Sequence, residues 1–202
     1  ACVKSRRSEV VYFVTYRLAD SIPRRVMEGW DEERANWLAG HGIALGMSEG
    51  EREKRYAAIS TAKRSAFERE QARKLFVELD QCHGTCVLRD SEASAIVLNS
   101  LKFHDGTRLR CGDLVVMPNH VHWLLMPVDG FELEDILYSV KRWSARRINQ
   151  LKSRRGKLWQ RESFDHIVRS PEEYERIRKY IQNNPRQARL RNSEFAYLRS
   201  DL

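Results

Sequence analysis

The segment VVMPNHVHWLL, residues 115–125, constrains the fold of this chain most strongly, because it sets two histidines in an otherwise apolar strand. Alternate side chains of a strand point to the same face and lie about 7 Å apart along it. His120 and His122 therefore share one face. The side chains that point to the opposite face are apolar and typical of a core: Val121, Trp123 and Leu125. The pair alone is compatible with buried polar side chains and with the ligands of one ion.

The other predicted elements follow in a clear order. They are a strand over 10–20, two highly charged helices over 24–39 and 51–79, an amphipathic helix over 91–104 with Ser91 as N-cap, two strands in RLRCGDLVVM and HVHWLLMP, a helix over 131–153 and a strand over 157–169. This order favours an α+β fold, a ferredoxin-like antiparallel sheet with helices packed on one face and a helical insertion after the first strand. We expect a single domain over 1–202, in which 24–80 forms the helical insertion or arm.

A last helix is predicted after Ser170, which forms a capping box with Glu173. Pro185 is expected to end this helix and to bias Asn184 away from helical geometry. Tyr180 and Asn184 are four residues apart, so they lie together on the flank of the buried helix face.

The net charge of +8 is concentrated near the end of the chain. Residues 136–202 hold 17 Lys and Arg against 7 Asp and Glu, and the stretch 136–161 contains nine basic residues and no acidic one. Such a block repels itself unless a polyanion lies nearby, which favours nucleic acid as the partner.

Cysteine content and hydropathy exclude several classes of protein. Cys2, Cys82, Cys86 and Cys111 are too sparse for a disulfide framework, and CHGTC (82–86) lacks the second Cys/His pair of a zinc site. No apolar run approaches the length of a membrane span, and the stretch ACVKSRRSEV lacks the apolar run of a secretory signal. We expect a cytoplasmic, nucleoid-associated protein without membrane contact.

Two histidines, an amide and a phenol make chemical sense together. A tyrosine can attack phosphorus and conserve the energy of the broken bond in a phosphodiester, but a phenol with a pKa near 10 needs help. A divalent ion held by two neutral imidazoles and an amide oxygen, with open positions for phosphate oxygens, would supply that help.

Four motifs in this order resemble the REP-associated tyrosine transposases of the single-tyrosine HUH (IS200-like) superfamily, which act on single-stranded DNA. They are VVMPNHVHWLL, LYSVKRWSARRIN, LWQRESFDHIVR and RIRKYIQNNPRQARL. The resemblance covers about residues 91–190 together with the strand over 10–20, and the insertion at 24–80 departs from the compact family pattern.

The resemblance implies that Tyr180 is the nucleophile and that His120, His122 and Asn184 bind Mg²⁺ or Mn²⁺. It implies cleavage of hairpin-forming repeat DNA through a 5′-phosphotyrosine intermediate, followed by rejoining. The basic block would then neutralise phosphates near the cleavage site, and Trp143 or Trp159 would stack on an unpaired base. The residues expected to bind DNA are Lys141, Arg142, Arg146, Arg147, Arg154 and Arg155.

Three alternatives compete with this hypothesis. A histidine-triad hydrolase needs a third histidine where the chain has Leu124, and a zinc amidohydrolase barrel needs a longer chain with more ligands. A catalytically silent regulator that binds hairpin DNA with the same fold is the serious alternative. The sequence leaves monomer and homodimer both open, and also whether Tyr180 acts within its own chain.

Overall fold

One antiparallel sheet organises the protein, whose computed structural model describes residues 10–44 and 46–202. Its strand order is β4-β1-β3-β2-β5, and every neighbouring pair is antiparallel. The strands are β1 (Tyr12–Arg17), β2 (Leu109–Val116), β3 (His120–Pro127), β4 (Phe164–Ile167) and β5 (Ala196–Leu198). The helices of the described residues are α1 (Arg24–Gly40), α2 (Glu49–Ala58), α3 (Thr61–Asp80), α4 (Ser91–Lys102), α5 (Leu133–Leu151) and α6 (Pro171–Gln187), with a 3₁₀ turn at Val87–Arg89.

The first four strands with α4 and α5 form the ferredoxin-like arrangement. The chain runs β1-α4-β2-β3-α5-β4, and these strands lie in the order β4-β1-β3-β2. The predicted fold class is therefore confirmed. β5 pairs with the outer edge of β2 and was not predicted, because three residues give too short a pattern to read. None of the described helices combines the length and apolar character needed to span a bilayer.

The hydrophobic core lies between one sheet face and the helices α4 and α5. The predicted apolar face of β3 is confirmed, since Val121, Trp123 and Leu125 are fully buried in this core. Trp123 also donates its indole N–H to Cys111 Sγ at 3.2 Å.

The prediction that all helices pack on one face of the sheet is wrong, because α6 covers the opposite face. That face carries Thr15, His120 and His122, each at most 2% exposed. Buried polar side chains need partners, and α6 supplies them from a strongly amphipathic helix whose buried residues are Ile181, Asn184 and Pro185.

Several boundaries also differ from the predictions for local reasons. Asp90, rather than Ser91, caps α4, since its carboxylate accepts the N–H of Ala93 at 3.0 Å. The strand expected over 157–169 is reduced to Phe164–Ile167, preceded by an isolated bridge between Leu18 and Trp159.

The segment Ile22–Gln81 forms a compact unit of its own, and the described residues up to Ser21 together with Cys82–Leu202 form another. Two helices were predicted for the Ile22–Gln81 unit, but it contains three. The third, α3, begins after Ser60, whose hydroxyl caps it by accepting the N–H of Lys63. Inside this unit Trp37 stacks on Phe67, with ring centroids 4.3 Å apart.

A bulge in β2 turns a carboxylate toward α6. The register shifts between Cys111 and Leu114, and Asp113 consequently points away from the α4 and α5 core. Asp113 is 2% exposed. It accepts the hydroxyl of Tyr197 at 2.7 Å and the N–H of Ser200 at 3.0 Å, and it pairs with Arg178 of α6 at 3.5 Å. This buried cluster fastens α6 and β5 to the sheet.

We expect Asp113→Ala to lower the free energy of unfolding by about 3 kcal/mol, because it removes the buried partner of Arg178 and the acceptor of both the Tyr197 hydroxyl and the Ser200 N–H. Chemical denaturation measures the change. The control is Asp201→Ala, which removes an exposed partner of the same guanidinium and should change stability by less than about 1 kcal/mol. Equal effects of the two substitutions would contradict the role of the buried cluster.

Candidate functional site

Two imidazoles meet on the sheet face beneath α6. β3 places His120 and His122 there because they alternate with the core residues of the same strand. Both side chains are fully buried, and their Nε2 atoms lie 3.0 Å apart. The Nε2 atoms of the imidazole pair are therefore directed at the same position.

α6 brings a phenol and an amide to that point. The Tyr180 hydroxyl lies 3.1 Å from Nε2 of His122, and Nδ2 of Asn184 donates to the Tyr180 hydroxyl at 3.2 Å. Asn184 is fully buried. The structure thus brings together the residues singled out for metal binding and nucleophilic attack, within one chain.

The expectation that Pro185 ends the last helix is wrong. α6 continues to Gln187, with Ala188 donating its N–H to Asn184 at 3.0 Å. A proline inside a helix removes one N–H and crowds the preceding turn, but near the C-terminal end it interrupts little, and Pro185 is itself buried. Asn184 therefore keeps helical geometry and stays one turn from Tyr180.

Burial keeps both imidazoles uncharged. It lowers the pKa of His120 to about 3, although a hydrogen bond with Asn184 acts in the opposite direction. Burial also lowers the pKa of His122, as does the neighbouring His120. At neutral pH each ring is a neutral imidazole, the form that binds metal ions.

Phe13 packs against both elements of the site. Its ring stacks on His122 at a centroid distance of 5.5 Å and meets Tyr180 edge to face at 6.1 Å. These contacts fix the two rings and exclude water from one side of the site.

The donor set fits a small divalent cation. Two nitrogens 3.0 Å apart match adjacent ligands of an ion that forms bonds of about 2.1 Å at angles near 90°. The described residues hold no group of three His, Cys, Asp and Glu side chains suited to a metal, so a third protein ligand here would be the amide of Asn184. In the segment 82–86, Cys86 donates its thiol to the carbonyl of Cys82 at 2.9 Å; Cys2 lies outside the described residues.

The sequence led us to expect the basic helix α5 near the cleavage site, but it does not lie beside the imidazole pair. α5 packs on the opposite sheet face, so its cations are not neighbours of His120 and His122. Lys141 is engaged within the protein, where it donates to the Arg161 carbonyl at 2.8 Å and burial lowers its pKa to about 8. Arg154 lies 3.4 Å from the Thr85 hydroxyl. The exposed arginines of this surface are Arg142, Arg146, Arg147 and Arg155.

The two tryptophans near α5 differ in exposure. Trp159 is buried and donates its indole N–H to Ser144 at 3.0 Å, so it belongs to the core. Trp143 is 47% exposed and Tyr138 is 64% exposed. Arg142 lies over the Tyr138 ring. The accessible aromatic side chains of α5 are therefore Trp143 and Tyr138.

Three residues on the imidazole face were missed in the sequence. Thr15 lies opposite His122 and Arg17 lies opposite His120 in the β1–β3 register, while Asn119 contacts the ring of His120 at 2.7 Å. Thr15 and Arg17 alternate with the apolar residues of β1, and this pattern could have predicted that they lie on the polar face of the sheet. It becomes informative only when the strand pairing is known.

Comparison with known proteins places the central part of the chain. Residues 100–184 match the family profile described as "Transposase IS200 like". This segment is similar to the IS200-like transposases. The match confirms the resemblance to IS200-like transposases that was identified in the sequence. The matched segment includes α5, the imidazole pair, Tyr180 and Asn184.

Two solved structures are similar to the chain. One is a REP-associated tyrosine transposase bound to a REP hairpin, at 12% identity with a TM-score of 0.43, covering 92% of this chain and 74% of that one. The other is a candidate transposase from Deinococcus radiodurans R1, at 16% identity with a TM-score of 0.41, covering 91% of this chain and 98% of that one. No curated protein matches the chain at a significant level.

The depressed pKa values of the imidazole pair make the metal-free protein sensitive to acid. Unfolded imidazoles bind protons below about pH 6.5, whereas these folded ones stay neutral, so the free energy of unfolding falls as the pH is lowered from about 6.5 to about 5. We expect a loss of up to about 1.4 kcal/mol per pH unit for each imidazole. Denaturation in the presence of a chelator measures it. The double variant His120→Gln, His122→Gln should show a shallower slope, and an unchanged slope would contradict the assignment.

Proposed function

We propose that this protein is a metal-dependent endonuclease and strand transferase of the HUH type, which cuts single-stranded DNA beside hairpin-forming repeats. The observation that carries the proposal is the 3.1 Å approach of the Tyr180 hydroxyl to Nε2 of His122. The family assignment of residues 100–184 supports a transposase-like function on DNA. Tyr180 meets the imidazoles of its own chain, so one chain supplies the whole set.

Tyr180 is the proposed nucleophile. Its hydroxyl gives up a proton as the oxygen forms a bond to phosphorus, the bond from phosphorus to the 3′ oxygen breaks, and that oxygen takes up a proton and leaves as a 3′-OH. The reverse attack by a 3′-OH on the 5′-phosphotyrosine rejoins the strand. The energy of the original linkage is conserved in the intermediate, so no ATP is needed.

His120, His122 and Asn184 would hold Mg²⁺ or Mn²⁺, which supplies Lewis-acid stabilisation of the charge that develops on the phosphate. The protein's own contribution is to hold two neutral imidazoles against each other and to orient the phenol. Asn184 donates to the Tyr180 oxygen and so keeps it directed at the imidazole pair. Arg17 shares that sheet face and is suited to contact the phosphate that is cut.

The exposed surface of α5 is the proposed site for the hairpin. Cations spaced along a helix neutralise successive phosphates, and exposed aromatic rings stack on unpaired bases. Arg142, Arg146 and Arg147 with Trp143 provide both kinds of contact. DNA held there must pass around the sheet edge to reach Tyr180, which suits a substrate with a double-stranded hairpin and a single-stranded flank. Such a protein would work at the nucleoid.

Tyr180→Phe should abolish cleavage and retain DNA binding, because it removes only the nucleophilic oxygen. We expect cleavage of a labelled hairpin oligonucleotide with Mn²⁺ to fall by at least about three orders of magnitude. Denaturing gels show the cut strand and its covalent adduct with the protein. The control Tyr56→Phe removes a tyrosine hydroxyl in the separate Ile22–Gln81 unit and should leave cleavage unchanged.

Unchanged cleavage by the Tyr180→Phe variant would contradict the assignment of the nucleophile. Hairpin binding by the wild-type protein without nicking under Mg²⁺ or Mn²⁺ would establish the alternative, a catalytically silent regulator.

The double variant Arg142→Gln, Arg146→Gln should weaken hairpin binding and make it less sensitive to salt. Removing one cation that pairs with a phosphate reduces the slope of log K against log salt by about 0.7 to 0.9. Fluorescence anisotropy at several salt concentrations measures both quantities. The charge-matched control is Arg24→Gln, Arg25→Gln in α1, and an equal loss of affinity in both pairs would contradict a specific role of α5.

A further inference from the structure

The imidazole pair has a second layer of hydrogen bonds that treats its two rings differently. Nδ1 of His120 lies 2.7 Å from Oδ1 of Asn119, and Nδ1 of His122 lies 2.6 Å from Oγ1 of Thr15. Asn119 is fully buried, and Thr15 is 2% exposed. An amide oxygen only accepts, whereas a hydroxyl both donates and accepts.

Asn119 fixes the tautomer of His120. Its Nδ2 donates to the backbone carbonyl of His83 at 3.2 Å, and the reverse amide orientation would set two carbonyl oxygens against each other. Oδ1 must therefore face the imidazole, so Nδ1 of His120 carries the proton. Nε2 of His120 then holds a lone pair directed at His122.

The segment that anchors Asn119 is itself rigidly placed. Thr85 donates its N–H to Asp20 at 2.9 Å, and Leu88 donates its N–H to the carbonyl of Pro118 at 3.2 Å. Gly84 has a φ of +86°, and a Cβ there would collide with the carbonyl oxygen of Asp20. The carbonyl of His83 is thus held in position for Asn119.

His122 is held at Nδ1 by a partner that suits either form of the ring, since the Thr15 hydroxyl can donate to Nδ1 or accept from it. Nε2 of His122 faces both Nε2 of His120 at 3.0 Å and the Tyr180 hydroxyl at 3.1 Å.

We propose that Asn119 and Thr15 are positioning residues of the metal site, which hold the two rings by their Nδ1 atoms so that both Nε2 atoms are directed at one position. This inference rests on the proposed metal site. Each partner fixes the orientation of its ring, and Asn119 also fixes the tautomer of His120. Partners of this kind typically change metal affinity by about 10- to 100-fold.

Nitrogen NMR of histidine-labelled protein tests the role of Asn119 directly. Long-range ¹H–¹⁵N spectra should show His120 protonated at Nδ1 and not at Nε2, both before and after Mg²⁺ is added. The substitution His120→Gln assigns the signals. Protonation of His120 at Nε2 would overturn the positioning role of Asn119.

Mn²⁺ binding measured by electron paramagnetic resonance tests the role of the two partners. Thr15→Val and Asn119→Ala should each weaken binding by about 10- to 100-fold, while Thr15→Ser, which keeps the hydroxyl, should bind close to wild type. Circular dichroism verifies that each variant is folded. Unchanged Mn²⁺ affinity in both disruptive variants would overturn only the positioning role. Absence of Mn²⁺ binding by the wild-type protein would overturn the metal site itself and this role with it.

Discussion

The burial of two neutral imidazoles under α6 is the constraint on which the rest of the site depends. Polar rings without water need partners, and each ring finds one at Nδ1 and another at Nε2. Because burial depresses both pKa values, the lone pairs are available at neutral pH without a proton first being removed. The same burial requires a cover, and the amphipathic helix α6 supplies that cover together with the phenol and the amide.

The two faces of the sheet serve different purposes. One face packs Val121, Trp123 and Leu125 against α4 and α5 and supplies the hydrophobic core. The other holds the polar groups, with α6 tied down by the buried pair of Asp113 and Arg178. This separation places the proposed DNA-binding surface of α5 and the proposed chemistry on opposite sides of one layer. The substrate must then be long enough to contact both.

The sequence predicts what depends on short periods along the chain. Alternation in β3 identified the imidazole face, and the order of elements identified the ferredoxin-like arrangement. Helical spacing paired Tyr180 with Asn184. The sequence did not reveal which sheet face α6 covers, because that depends on the β2 bulge and on long-range contacts. The sequence analysis also overestimated how strongly Pro185 disrupts α6. The helix has only two residues after this proline, so the lost N–H interrupts little of it.

The most direct test of the account is the position of a bound ion. Crystals grown with Mn²⁺ give an anomalous signal that locates the metal independently of activity. The account predicts one ion about 2.2 Å from Nε2 of both His120 and His122, with the Tyr180 oxygen of the same chain facing it. An ion bound elsewhere, or a Tyr180 that meets only the imidazoles of another chain, would contradict it.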